Sequence, residues 1–263
     1  MSWIVSVVLN TVVGLIAYAK SSDSGLLACI VGECVLNLIA VPVMNKFSTK
    51  PFISPETKPE EDYKGEFTFA IITSSVVKGT IHYLVLNHLN MIGDGGFNPF
   101  YFLVKGLCFE TVFDLVHYGL HRGAHAVPAI YQLVHKKHHK FKHPTTETAF
   151  YLTPQDLALT YGIPLLIGIY IIPFNRYEFA LTTVYLTYQE IAGHLGKRMY
   201  PTSSFAMCIW LPRWLGIELY TEDHDLHHSE NNCNYSKRFK MWDELFGTYK
   251  SGVSNKIFYL CKQ

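Results

Sequence analysis

Six stretches of the chain are apolar over most of a bilayer's width, and polar connections separate them. Residues 3–19 carry no charge, and residues 25–43 are interrupted only by Glu33. Between them, Ser21, Ser22, Asp23, Ser24 and Gly25 supply turn chemistry. Residues 67–86 carry Lys78, and residues 97–116 carry Lys105, Glu110 and Asp114. Residues 156–172 and 179–192 form a tighter pair joined by Pro173, Phe174, Asn175 and Arg176. Each stretch approaches the roughly 20 residues that a helix needs to cross a membrane. No basic residue precedes the first stretch, so a span is expected there and not a cleaved leader. Beyond Gly196 the pattern turns mixed and polar, and no repeat or low-complexity segment breaks the chain.

The charges sort by side. If all six stretches cross, one face receives 44–66, 122–148 and everything from Lys197 onward, with eighteen Lys and Arg residues, while the other receives Lys20 and Arg176. Lysine and arginine collect on the cytosolic side of membrane proteins, which assigns the first face to the cytosol. The expected fold is an all-α integral membrane bundle of about four to six transmembrane helices with a cytosolic helical cap. Composition supports this: 49% of the 263 residues are hydrophobic and only 16% are charged, against about 25% charged in an average soluble domain. A net charge of +1 supplies no basic field for nucleic acid. The six cysteines (29, 34, 108, 208, 233 and 261) form no CxxC pair, and they read as small apolar fillers, not as a disulfide framework.

Thirteen histidines remain, seven of them between His117 and His143. His117, His121 and His125 follow one another at intervals of four. His135, His138 and His139 form one HxxHH, and His224, His227 and His228 form another. On a helix, positions i, i+3 and i+4 fan over roughly 100°. The first histidine and one neighbour can then hold one metal while the other neighbour reaches toward a second. One HxxHH arises by chance in roughly 3% of shuffled sequences of this composition, and two in far fewer. Imidazole sets of this kind suit zinc, copper, iron or nickel. The stretches 156–172 and 179–192 return the chain to its starting side, so all three groups can share one site. Asp114 lies on the same helical stripe as His117 and His121, where it is expected to orient an imidazole from behind. His82 and His88 stand alone and read as packed or interfacial.

The order HxxxH, HxxHH, HxxHH resembles the fatty acid hydroxylase/sterol desaturase superfamily. Asp114, Tyr118, His121, Arg122 and His125 match its first box. HDLHHSENNCNY and MWDELFGTYK match its C-terminal signature through Asn234, Tyr235, Trp242, Asp243, Phe246, Gly247 and Thr248. His194, in GHLG, resembles a histidine that often precedes the third box, and with His117 it joins the expected metal ligands His121, His125, His135, His138, His139, His224, His227 and His228. One departure is Thr153-Pro154-Gln155-Asp156, where many members carry His-Pro-x-Glu.

The resemblance implies two irons that activate O2 to hydroxylate or desaturate a lipid, a sterol or a fatty-acyl chain, at the endoplasmic reticulum membrane. It divides the chain into N-terminal transmembrane helices and loops (1–110), a catalytic domain (111–250) and a tail (251–263). Gly93-Asp94-Gly95-Gly96 lacks the spacing of a dinucleotide-binding loop, and no haem-attachment motif is present. Electrons from NAD(P)H are therefore expected through an external cytochrome b5-type donor and its reductase. Lys136, Lys137, Lys140, Lys142, Lys237, Arg238 and Lys240 offer that donor a basic surface. The reading from another class is a non-catalytic, histidine-rich membrane metal-binding or transport protein.

Overall fold

The computed structural model describes residues 3–22, 25–57, 63–89, 91–93, 95–198 and 211–253, with side chains described from residue 12 onward. Asn90, Asp94, Cys208, Cys261 and most of the expected tail lie outside the described residues. The described chain is all-helical, and two isolated bridges, Phe52 with Lys197 and Glu218 with Phe239, are its only strand-like pairings.

Four long helices come first: α1 (Trp3–Ser21), α2 (Leu26–Phe47), α3 (Lys64–Asn87) and α4 (Pro99–Ala126). Short turns follow, namely α5 (Pro128–Ile130), a π-turn over Tyr131–His135, and 3-10 turns at His138–Lys140 and Thr146–Phe150. Next come α6 (Pro154–Leu157), a second π-turn (Ala158–Gly162), α7 (Ile163–Ile171) and α8 (Arg176–Gly193). The last elements are α9 (Leu211–Trp214), α10 (Thr221–Glu230) and α11 (Met241–Leu245).

Among the described residues two helices, α2 and α3, are long and apolar enough to cross a membrane. On α2, Leu27, Val31, Val35 and Ile39 recur every fourth residue and are exposed, which gives the helix an outward apolar stripe. Its opposite face carries buried Glu33, Asn37 and Val41. Asn37 donates to Ser75 of α3 at 2.9 Å. The two helices approach closely at Gly79, where an added Cβ would lie 2.6 Å from the Ile30 Cα.

The last two expected stretches behave differently. Residues 156–171 keep one helical path, but the π-turn widens it at Ala158–Gly162 and Pro164 has no N–H to continue the ladder. α8 is the interior helix. Its Thr182, Thr183, Thr187, Gln189 and Glu190 are buried together with Phe179 and Leu186, since α1, α2 and α10 all pack on it. The core around it joins Phe102, Phe109, Phe113, Leu165, Ile169 and Phe174.

The two cations expected on the sparsely charged face, Lys20 and Arg176, are both engaged. Lys20 turns inward to pair with buried Glu33. Arg176 donates to the carbonyls of Ser21 and Leu86, which ties three helix ends together.

Candidate metal centre

α4 starts with the Asn98 side chain accepting from the N–H groups of Phe100 and Tyr101, with Pro99 in its first turn. Its 28 residues make it about 42 Å long at 1.5 Å per residue. It therefore carries Phe102 to Phe113 in the apolar core and His117, His121 and His125 beyond it. The second histidine group is not on a regular helix. His135 ends a π-turn, and His138 and His139 sit in a 3-10 turn with a kink at His139. The third group lies on α10, whose first turn is closed when Asp223 accepts from the Tyr220 N–H.

These elements bring nine histidines into two adjoining cages. His121, His125, His135, His139 and His227 form the first, and His138, His194, His224 and His228 the second, with the ligand nitrogens of each cage within 4.8 Å of one another. Each HxxHH splits as its angular fan predicts. His135 and His139 turn to the first cage and His138 to the second, while His224 and His228 turn to the second and His227 to the first.

Hydrogen bonds on the far side of the rings set the tautomers. His121 donates from Nδ1 to the Tyr235 carbonyl at 2.7 Å, and His227 from Nδ1 to the Cys233 carbonyl at 2.7 Å. His135 donates from Nδ1 to both Asp156 oxygens at 2.9 Å. His194 donates from Nδ1 to the Glu190 carbonyl at 2.8 Å. The Nε2 atoms of these rings therefore carry lone pairs. They nevertheless face other Nε2 atoms at 3.0 Å (His121 to His135), 3.1 Å (His227 to His139) and 3.1 Å (His224 to His194). With no proton between His121 and His135, facing lone pairs repel. A shared cation reverses that sign, so the donor set fits metal. Burial and the neighbouring rings hold His138, His139, His224, His227 and His228 well below the usual histidine range. Burial and His135 push His125 down to about 3. These six imidazoles stay neutral and ready to ligate.

His117 belongs to neither cage. It donates from Nδ1 to the Thr160 carbonyl of the π-turn at 2.7 Å, and its ring lies 5.0 Å from that of His121. Asp114 does not orient an imidazole. Its carboxylate accepts the backbone N–H groups of Lys237, Arg238 and Phe239 at 2.8–2.9 Å, and so anchors the loop whose Tyr235 carbonyl holds His121. The carboxylate behind a ring is Asp156, which the spacing rules passed over because it belongs to no histidine group. Its signal was an acidic residue opening an apolar stretch.

His82 and His88 stand outside both cages, as does His143, which pairs with Asp225 at 3.0 Å. The expected basic surface is smaller than its sequence suggests. Lys237 pairs with Glu190 beneath the loop. Arg238 is wholly buried, 5.1 Å over the Phe113 ring and 3.6 Å from Glu110. Neither faces a partner.

The C-terminal signature residues frame the cages. Asp243 accepts from the N–H groups of Tyr235 and Ser236, and Asn234 bonds to the backbone of Asp223 and Lys250. Asn234 has a φ of 56°, a left-handed geometry that asparagine tolerates better than most residues.

The fold and site together define an all-helical protein with paired histidine cages at the end of an apolar bundle. The chain belongs to the fatty acid hydroxylase family, whose profile, described as "Fatty acid hydroxylase", matches residues 106–248. It is similar to the fatty acid hydroxylase vlmA of Lecanicillium sp, 36% identical over 148 residues, which are 53% of this chain and 40% of the relative. It is similar to the methylsterol monooxygenase erg25B of Aspergillus fumigatus, 31% identical over 144 residues, or 53% and 46% of the two chains. The Delta(7)-sterol 5(6)-desaturase ERG3B of Gibberella zeae is 29% identical over 138 residues, or 52% and 39%. The chain spans less than half the length of these three relatives. No solved structure matches it significantly.

Proposed function

We propose that this protein is a membrane-bound di-iron oxidase that uses O2 to hydroxylate a lipid, a sterol or a fatty-acyl chain, with residues 111–250 as its catalytic domain. The observation that carries this reading is the pairing of the two cages. Eight buried imidazoles and the half-buried ring of His125, gathered into two cages, can hold two metal ions, and the family's oxygenases and desaturases give iron as the metal. When bound, two irons would supply the reducing electrons for O2 and the oxidising power for an unactivated C–H bond. Hydroxylation then puts one oxygen atom in the lipid and releases the other as water, consuming two electrons and two protons.

The chain's own residues hold and shield. Asp156 and the backbone carbonyls of Glu190, Tyr235 and Cys233 fix the ring tautomers, and burial excludes water from the cages. Exposed Lys136, Lys140 and Lys142 beside the second histidine group leave a smaller basic surface for an acidic haem donor of the cytochrome b5 type, supplied from NAD(P)H by a reductase. The asymmetry of Lys and Arg supports a multi-pass protein of the endoplasmic reticulum membrane with four to six crossings and cages facing the cytosol. Desaturation, named for one relative, is the alternative outcome at the same centre.

The test uses purified full-length protein: iron per chain, O2 uptake and oxidised lipid with and without added donor and reductase. Two irons and a donor-dependent hydroxylated product are expected. Bound metal with no O2 uptake under any donor would favour the metal-binding or transport reading. Glycosylation acceptors near Asn175 should be modified and one near Lys64 should not, and the reverse would overturn the sidedness.

A further inference from the structure

The two cages differ in more than their count of rings. Behind the first stands Asp156, with both oxygens 2.9 Å from His135 Nδ1. Among the described residues no lysine or arginine pairs with that carboxylate. Behind the second stands Glu190. Its backbone carbonyl accepts from His194 Nδ1 at 2.8 Å, and its carboxylate oxygen Oε1 lies 3.8 Å from the same nitrogen. This carboxylate has a cation of its own, because Lys237 donates to its Oε2. Both side chains are enclosed, at 13% exposure for Lys237 and 7% for Glu190.

Lys237 also stands against the rings themselves. With Glu190, His194 and His224 it lines two small cavities, one of which reaches His121 and His135 of the first cage. The larger measures about 20 Å³, and a single water needs about 10–15 Å³, so little solvent separates the lysine from the cages. After burial, the Lys237 charge is among the causes that hold His194 and His224 below the usual histidine range. The backbone fixes its position, since Asp114 of α4 accepts the Lys237 N–H at 2.8 Å. An ammonium enclosed beside a cation site opposes the ion there, because like charges repel strongly where water is excluded.

A carboxylate behind a ligand ring strengthens the hold on metal. At the first cage Asp156 keeps its charge. At the second, Lys237 cancels that of Glu190 and adds a repulsion, and the cage has four rings where the first has five. We propose that Lys237 is a positioning residue that ranks the two metal sites: by neutralising Glu190 beside His194 it keeps the second cage the weaker, so the first fills before it. A chain with a single ion then carries it in the first cage. This rests on the reading of the cages as metal sites, and not on iron as the metal.

The test is a titration of metal-free full-length protein in nanodiscs with Co2+ against a competing chelator, followed by the visible absorption of the bound ion. Wild type should bind in two steps, and His228→Ala should lose the weaker one. Lys237→Gln retains a donor to Glu190 without the charge. It should tighten the weaker step about tenfold, within the range that groups behind a metal ligand contribute. The stronger step should stay in place, which also shows that the fold survives, and Lys237→Met should behave alike. Glu190→Gln should loosen the weaker step about tenfold. The sign is decisive, because removing a lysine that only braced the loop would loosen both steps. A weaker step that loosens or stays put in both Lys237 variants, or two equal steps in wild type, would overturn the proposal. Protein that takes up no cobalt would overturn the metal-centre reading and this inference with it, whereas two cobalt ions held with unmoved affinity in the variants would overturn the inference alone.

Discussion

The Nδ1–H of His135 points at Asp156, with both carboxylate oxygens 2.9 Å away. The carboxylate fixes the tautomer of a ring whose Nε2 opens into the first cage. Asp156 is itself held by a short device. Thr153 accepts its N–H at 3.1 Å and donates to the Val134 carbonyl at 2.9 Å, linking the start of α6 to the π-turn that carries His135.

Asp156→Ala should therefore cost about 10–100-fold in metal affinity or activity, the usual loss when a carboxylate behind a ligand is removed. Asp156→Asn retains an acceptor for the Nδ1 proton and should recover part of it. Iron per chain after dialysis against a chelator distinguishes the two. Equal retention by wild type and Asp156→Ala would show that the contact has no bearing on metal.

Because the cages share no histidine, single replacements should separate them. His228→Ala leaves the five nitrogens of the first cage in place, and His227→Ala leaves the four of the second. Each should lower bound iron from about two per chain toward one, as expected when a ligand set is opened, and abolish O2 uptake. His82→Ala should keep both irons. Full iron in His228→Ala would contradict the division.

Asp114 acts on the backbone. Asp114→Ala orphans the buried N–H groups of Arg238 and Phe239 and the part-buried one of Lys237, and a buried group left unpaired costs about 1–3 kcal/mol. Its principal effect should be a lower unfolding temperature and loosening of the loop at 235–239, with His121 losing its carbonyl partner as a consequence. Hydrogen exchange at Lys237, Arg238 and Phe239 is the direct measurement. Unchanged protection there would rule out the anchor.

Acid should destabilise the fold before any metal is considered. His138, His224 and His227 are depressed by burial first and by neighbouring rings second, from an ordinary value of 6.5. As pH falls through 6.5, the unfolded chain takes up protons that the folded cages refuse, so stability declines from neutrality downward. Metal release runs in the same direction, because protons compete for the same nitrogens. Denaturant unfolding of metal-free protein at pH 7.5, 6.5 and 5.5 should show a falling midpoint, and a flat profile would contradict the buried neutral state.

Much of this protein was legible along the chain. Histidines spaced at i, i+3 and i+4 must fan over a helical face, and an even number of helices between two such groups returns them to the same end of the bundle. Both follow from helix geometry alone, and they hold although the second group sits in a kinked 3-10 turn. The helical stretches follow from apolar length, although Pro164 and the π-turn distort the one at 156–172. What one dimension could not decide was which residues meet across the fold. Asp114 and Lys237 are 123 positions apart, so a helical stripe suggested an imidazole partner when the true partner was a distant backbone. Lys237 and Arg238 read as a basic surface because their neighbours in sequence are polar, yet α4 and α8 bring Glu110, Phe113 and Glu190 over them. The division of nine histidines into five and four, the entry of His194 and the exclusion of His117 likewise depend on where α4, α8 and α10 cross. That crossing is set by packing, and packing is a property of neighbours in space.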